Sequence, residues 1–274
     1  MEPDALPADI ATRDESVVWR YMDLPRFVSI LSRGGLWFAK ATTLRDDPWE
    51  GFGRAECLTA PPAGEWQEAA DGRKTRTVSV RQAMAHFSQN SAEFVEHASE
   101  HLYVNSWCAG PESMAMWQIY GALGSGVALK SSVERYVRAA KFNVDDSHYD
   151  FAEVTYHTSL ETVPDLRLDF RGSIPMPGPS LRREILKLGC HKRECFRHEH
   201  EWRALLYQDA RPEVAGIDVD FDLGELISEV FVGPRAEAFI VDAVESIMEK
   251  FQLRKPCKRS DLLSSPRKDV APAG

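Results

Sequence analysis

The run His198-Glu199-His200-Glu201-Trp202-Arg203 gathers more chemistry-bearing side chains than any other part of the chain. If it is one strand, the side-chain period of two sets Glu199, Glu201 and Arg203 on one face and His198, His200 and Trp202 on the other. Two carboxylates at i and i+2 then sit roughly 7 Å apart. That is close enough for like-charge repulsion to raise one pKa and for Arg203 to moderate the effect. The pattern suits general-base or electrostatic work, and it suits equally a solvated strand edge with an ordinary ion pair. Nearby Cys190, His191, Cys195, His198 and His200 are all zinc-ligand types, but no C-x2-C or H-x3-H spacing joins them, so no metal is expected.

Other residues offer weaker chemistry. Arg20, between Trp19 and Tyr21, can fork onto a phosphate or carboxylate, and it is equally a structural ion-pair partner. Asp46, Asp47 and Glu50 set three carboxylates around Pro48 in one turn, without the glycine and spacing of a calcium loop. Met114, Met116, Trp117 and Tyr120 read as core packing. The glycines from Gly121 to Gly126 follow a helix and precede a strand, the reverse of a dinucleotide fingerprint.

The elements that must position these residues make an α+β chain. Val17 to Tyr21 reads as a strand, Asp23 as the N-cap of a helix with Phe27, Ile30 and Leu31 on one face, and Gly34-Gly35 as its stop. Leu36 to Ala39, Leu102 to Cys108, Gly126 to Lys130, Glu153 to Tyr156, Trp202 to Tyr207 and Glu229 to Val232 read as strands. A helix is expected to start at Gly110-Pro111-Glu112 and to carry Met116, Ile119, Tyr120 and Leu123 as one apolar stripe. Others are expected after Ser131-Ser132-Val133-Glu134, from about 181 to 195, and from Ala236 to Phe251. Residues 57–77 look irregular and 78–100 helical. Residues 1–16 and 256–274 read as flexible tails around one globular domain at 17–255. The expected architecture is a mixed or mainly antiparallel central sheet with flanking helices.

Composition bounds the function. In 274 residues, 43% are hydrophobic and 27% charged, which is the balance of a folded globule. A formal net charge of −9 argues against a dominant nucleic-acid surface. Five scattered cysteines read as reduced thiols. With no long apolar run and an acidic start, no membrane segment is expected and the expected location is the cytoplasm.

Four blocks, in order, resemble a bacterial domain-of-unknown-function family, the one numbered twenty-nine seventy-one. They are Trp19-Arg20-Tyr21; Leu44 to Glu50; Met114 to Tyr120 with Gly126; and Glu199-His200-Glu201-Trp202-Arg203. Asp46 stands where that family usually has Asn, and Trp49 where it usually has Phe. The family name carries no activity. A second resemblance, in layout, is to ADP-ribosyltransferases of the Arg, Ser, Glu type. It implies Arg20 on the cofactor phosphates with Tyr21 beside it, Ser106 supporting an NAD pocket, Glu201 as the catalytic carboxylate and Glu199 orienting an acceptor whose nature stays open. A role in defence or as a toxin goes with that chemistry. Two alternatives stand beside it: a metal-dependent hydrolase or nuclease using Asp46, Asp47, Glu199 and Glu201, and a non-catalytic sensor or interaction domain.

Overall fold

The computed structural model describes residues 17–44, 66–68, 74–79, 100–141, 148–159, 167–170, 179–209 and 213–264. Asp46, Asp47, Pro48, Trp49 and Glu50 lie outside these residues. In chain order the elements are β1 (Val17–Met22), α1 (Leu24–Arg33), β2 (Gly35–Lys40), β3 (Trp66–Glu68), β4 (Lys74–Ser79) and β5 (Leu102–Ala109). Next come α2 (Met114–Met116), which runs into a π-helical turn at Trp117–Gly121, then β6 (Val127–Ser132), α3 (Val133–Ala139), β7 (Tyr149–Glu153), β8 (Thr155–His157) and β9 (Arg167–Phe170). The chain continues with α4 (Pro179–Leu188), β10 (His191–Arg193), a 3₁₀ turn at Glu194–Glu199, β11 (Glu201–Tyr207) and β12 (Gly216–Asp220). Last are α5 (Leu223–Leu226), β13 (Glu229–Val232), α6 (Ala238–Lys250) and β14 (Cys257–Arg259). The protein is α+β, with a mixed, mainly antiparallel central sheet and flanking helices. No helix among the described residues is long and apolar enough to cross a membrane.

The chain divides into two compact units: Met1–Leu36 with Trp107–Phe142 and Val219–Gly274, and Trp37–Ser106 with Asn143–Asp218. In the first, β1 pairs antiparallel with the end of β5 and with β6, β6 antiparallel with β13, and β13 parallel with β14. One face of this sheet carries Trp19 and Tyr21, packed with Cys108, Met116, Trp117, Ala128 and Phe231. The rings meet edge to face, Trp19 on Phe231 at 4.9 Å and Tyr21 on Trp117 at 5.1 Å, an arrangement the aromatic quadrupole favours.

Helix α1 shows how local chemistry sets these boundaries. The Asp23 carboxylate accepts the Arg26 N–H at 2.8 Å, Phe27, Ile30 and Leu31 are buried, and Gly34 closes the helix at φ 69°. That left-handed conformation costs a Cβ-bearing residue but not glycine. Asp23→Ala is expected to lower stability by about 1 kcal/mol, read as a shift in the urea midpoint at unchanged m.

Four expectations are corrected here. The stretch expected to be irregular, with Val78 and Ser79 from the stretch expected to be helical, forms β3 and β4, which pair with each other, β4 pairing in turn with β9. The helix near Met114 starts at Ser113, whose hydroxyl accepts the Met116 N–H, and its apolar stripe is not a buried face: Ile119 is 53% and Tyr120 39% exposed, because the helix widens into the π turn after one turn. The expected helix over 181–195 ends at Leu188. Part of the expected carboxyl-terminal tail is strand β14: the Lys258 ammonium reaches Glu229 at 2.5 Å and lies 4.8 Å from the centroid of the Phe231 ring, so contacts with β13 hold a segment whose composition reads as loop.

Candidate functional site

The second unit builds a buried charged cluster around Glu201. Strand β8 runs parallel to β10, setting Thr155, Tyr156 and His157 opposite His191, Lys192 and Arg193. Lys192 therefore leaves the middle of a three-residue strand and is only 5% exposed. The chain then winds through the 3₁₀ turn, which buries Glu199, and reverses at His200, at φ 42°. Histidine is among the few residues that adopt this conformation with some frequency. Strand β11 begins only after it, and its first backbone groups are pinned: the Glu201 N–H donates to the Tyr156 hydroxyl at 2.8 Å, and the Glu201 carbonyl accepts the Val154 N–H at 2.8 Å.

The run from His198 to Arg203 is thus not one strand, and this corrects the face assignment. Glu199 and Glu201 do not share a pleat; a cation between them brings them together. The Lys192 ammonium is bonded to a Glu199 carboxylate oxygen and stands 3.3 Å from Glu201 Oε2. Arg203 turns onto Glu201 as a fork, Nε to Oε1 and Nη2 to Oε2, both at 2.9 Å, and its Nη1 donates to the Gly189 carbonyl at 2.8 Å. Ser106, on β5, is hydrogen-bonded to the same carboxylate. A solvated strand edge is excluded, since Glu199 is 6%, Glu201 5% and Arg203 0% exposed.

These contacts reverse the expected pKa direction. Burial alone would raise the Glu201 carboxyl, but the charges of Arg203 and Lys192, with hydrogen bonds from Arg203 and Ser106, outweigh it and hold it at about 2. Glu201 is an anion throughout the physiological range. Tyr156, whose hydroxyl accepts its N–H, is pushed up to about 12, chiefly by burial.

The histidine and cysteine residues do not converge. Cys190 is buried and its thiol is driven to about 12, mainly by burial, far from the thiolate that binds metal. Cys195, His198 and His200 are exposed. His191 instead meets His157, a residue that no spacing or motif singles out, with Nδ1 and Nε2 3.0 Å apart. Among the described residues no group of three or more His, Cys, Asp or Glu side chains is placed to hold a metal ion.

Burial, the neighbouring His157 and Arg203 lower His191 to about 4. An unfolded chain takes up a proton there near pH 6.5, and the folded chain resists it. The contribution of His191 to stability is therefore complete above about pH 6.5 and falls away as pH drops towards about 4, by on the order of 2–3 kcal/mol. Glu201 acts in a lower window: its contribution is complete above about pH 4.5 and is lost as pH falls towards about 2. Denaturation followed from pH 7 to 4 should show this slope in the native protein and a flatter one in His191→Gln; equal slopes would disprove the assignment.

The remaining candidates lie in the first unit. Arg20 is half-buried on β1, opposite Leu129, on the strand face of the buried Val18 and Met22. The Tyr21 hydroxyl accepts the Ser113 N–H at 2.8 Å and burial raises its pKa, so both ring and hydroxyl serve the aromatic core. Trp117 is fully buried and donates its indole N–H to Glu112 at 2.7 Å, while Tyr120 is exposed on the π turn. The structure accordingly groups Ser106, Glu199, Glu201 and Arg203 in one constellation, and Tyr21 with Trp117 in another. Sequence reasoning missed Lys192, nine residues before Glu201, whose ammonium contacts both buried carboxylates.

No family model and no curated protein matches the chain. Among solved structures it is similar to Thermus sp. 2.9 DarT in complex with NAD+, at 11% identity and a TM-score of 0.36, over 90% of this chain and 96% of that one. It is similar to the same protein in complex with carba-NAD+ at 11% identity and a TM-score of 0.36, over 90% of this chain and 95% of that one.

Proposed function

We propose that the protein is an NAD-using enzyme of the ADP-ribosyltransferase or NAD glycohydrolase kind, with Glu201 as its catalytic carboxylate. The observation that carries this reading is the hydrogen bond between Ser106 and Glu201. These two residues stand far apart in the sequence, and the layout of Arg, Ser, Glu transferases assigns them to one pocket. A carboxylate that stays ionised, fixed by Arg203 and steadied by Ser106, is a preorganised negative charge. Placed by the nicotinamide ribose, such a charge stabilises the oxocarbenium-like character that develops as the glycosidic bond breaks. Arg203 offsets part of the charge of Glu201 and fixes its rotamer through two hydrogen bonds. The cofactor-binding roles of Arg20 and Tyr21 that the resemblance implies, and membership of family twenty-nine seventy-one, remain part of the proposal.

The buried ion network favours a second reading, a non-catalytic domain in which Lys192, Glu199, Glu201 and Arg203 only organise the core. A metal-dependent hydrolase has less support, because Glu199 and Glu201 already carry Lys192 and Arg203, and a divalent cation would have to displace one of them. Nicotinamide release from NAD separates the first two readings. The enzyme reading expects release by the native protein and its loss in Glu201→Gln with NAD binding retained. A folded native protein that neither binds NAD nor releases nicotinamide would leave the non-catalytic reading.

A further inference from the structure

We infer that Lys192 is a positioning residue for Glu201, the cation that bridges Glu199 and Glu201 in one buried site. The activity arm of this inference rests on Glu201 being the catalytic carboxylate; the charge arm does not. Lys192 is held at both ends. Its backbone is fixed in β10 opposite Tyr156, and its ammonium reaches Glu199 and, at 3.3 Å, Glu201 Oε2. The ammonium also lies 4.7 Å from the centroid of the Phe196 ring, in the same 3₁₀ turn that delivers Glu199. A lysine suits the place because its compact charge and rotatable donors can serve two carboxylates in different directions, which a planar guanidinium fork does less well. Arg203 cannot take over this duty from where it stands, since Nε and Nη2 are on Glu201 and Nη1 is on the Gly189 carbonyl.

Removing the ammonium leaves two buried carboxylates without the cation that bridges them. Burial and mutual repulsion then drive a proton onto the pair. The proton would enter as a coupled step of both groups, draining charge from Glu201 and freeing the turn that Glu199 anchors.

The experiment is a pH titration of ¹³C-carboxyl glutamate signals in the native protein, Lys192→Met, Lys192→Arg and the double variant Lys192→Met/Glu199→Gln, run beside nicotinamide release from NAD. In Lys192→Met we expect a titration step of the pair between about pH 5 and 8 that the native protein and Lys192→Arg lack. We also expect kcat to fall at least tenfold with KM for NAD within threefold, and a matching new limb in the pH profile of kcat. The double variant, with no second carboxylate to repel, should lose the step and recover part of kcat. If Lys192→Met does not fold, the double variant decides: folding without the step supports the inference, and persistence of the step overturns it. A Lys192→Met protein that titrates and turns over like the native one also overturns it. If no variant, nor the native protein, releases nicotinamide, the NAD reading fails while the titration still decides the role of Lys192.

Discussion

Arg203→Met is expected to destabilise the fold by about 3–5 kcal/mol, the range for breaking a buried ion pair from one side. Arg203 is 0% exposed, and its removal takes a two-point ion pair from Glu201, itself 5% exposed, and a donor from the Gly189 carbonyl. Against a typical stability of about 5–15 kcal/mol, the loss moves the denaturation midpoint a long way or leaves little folded protein. Removing both members is a different perturbation. Arg203→Met combined with Glu201→Leu exchanges two charges for apolar volume, and the double variant should recover most of the loss. A single-variant loss below about 1 kcal/mol would mean that Glu201 does not depend on Arg203, because surface pairs give values of that size.

The second large effect is the one expected from the proposed NAD chemistry. Glu201→Gln should reduce nicotinamide release by about 10²–10³-fold, the scale of one preorganised electrostatic contact. Gln keeps the shape but supplies an N–H where Arg203 Nη2 and Lys192 need an acceptor, so the variant should also lose stability. NAD affinity, measured by calorimetry, separates the two effects: retained binding with lost turnover assigns the charge to the chemical step. A turnover within threefold of native would remove Glu201 from the catalytic role.

Much of the scaffold was legible in the residues. The apolar runs of β1, β2, β5, β6 and β13, the Asp23 cap and the Gly34 stop are local signals, and the structure has each of them within a residue or two. The catalytic candidate Glu201 and its neighbour Ser106 were legible only through the order of elements, and their contact depends on β5 pairing with β11. The geometry around them was not legible, because it is set by tertiary placement. Period-two reasoning assumes a continuous strand, and His200 breaks the strand by taking a left-handed conformation that its residue type permits but does not announce. The predicted repulsion between Glu199 and Glu201, moderated by Arg203, was sound electrostatics lacking the charge of Lys192. Lys192 enters from β10, and His157 meets His191 only because β8 and β10 run side by side. Strand β14 was hidden for a similar reason: Cys-Lys-Arg has little strand character by itself and is held by the edge of β13.

The most direct test of the catalytic assignment is a crystal structure of the Glu201→Gln variant soaked with NAD. The nicotinamide ribose is predicted to lie within hydrogen-bonding distance of the side chain at position 201, with the Ser106 hydroxyl in contact with that side chain. NAD bound elsewhere on the protein, or a lattice that takes up none at millimolar concentration, would contradict the assignment.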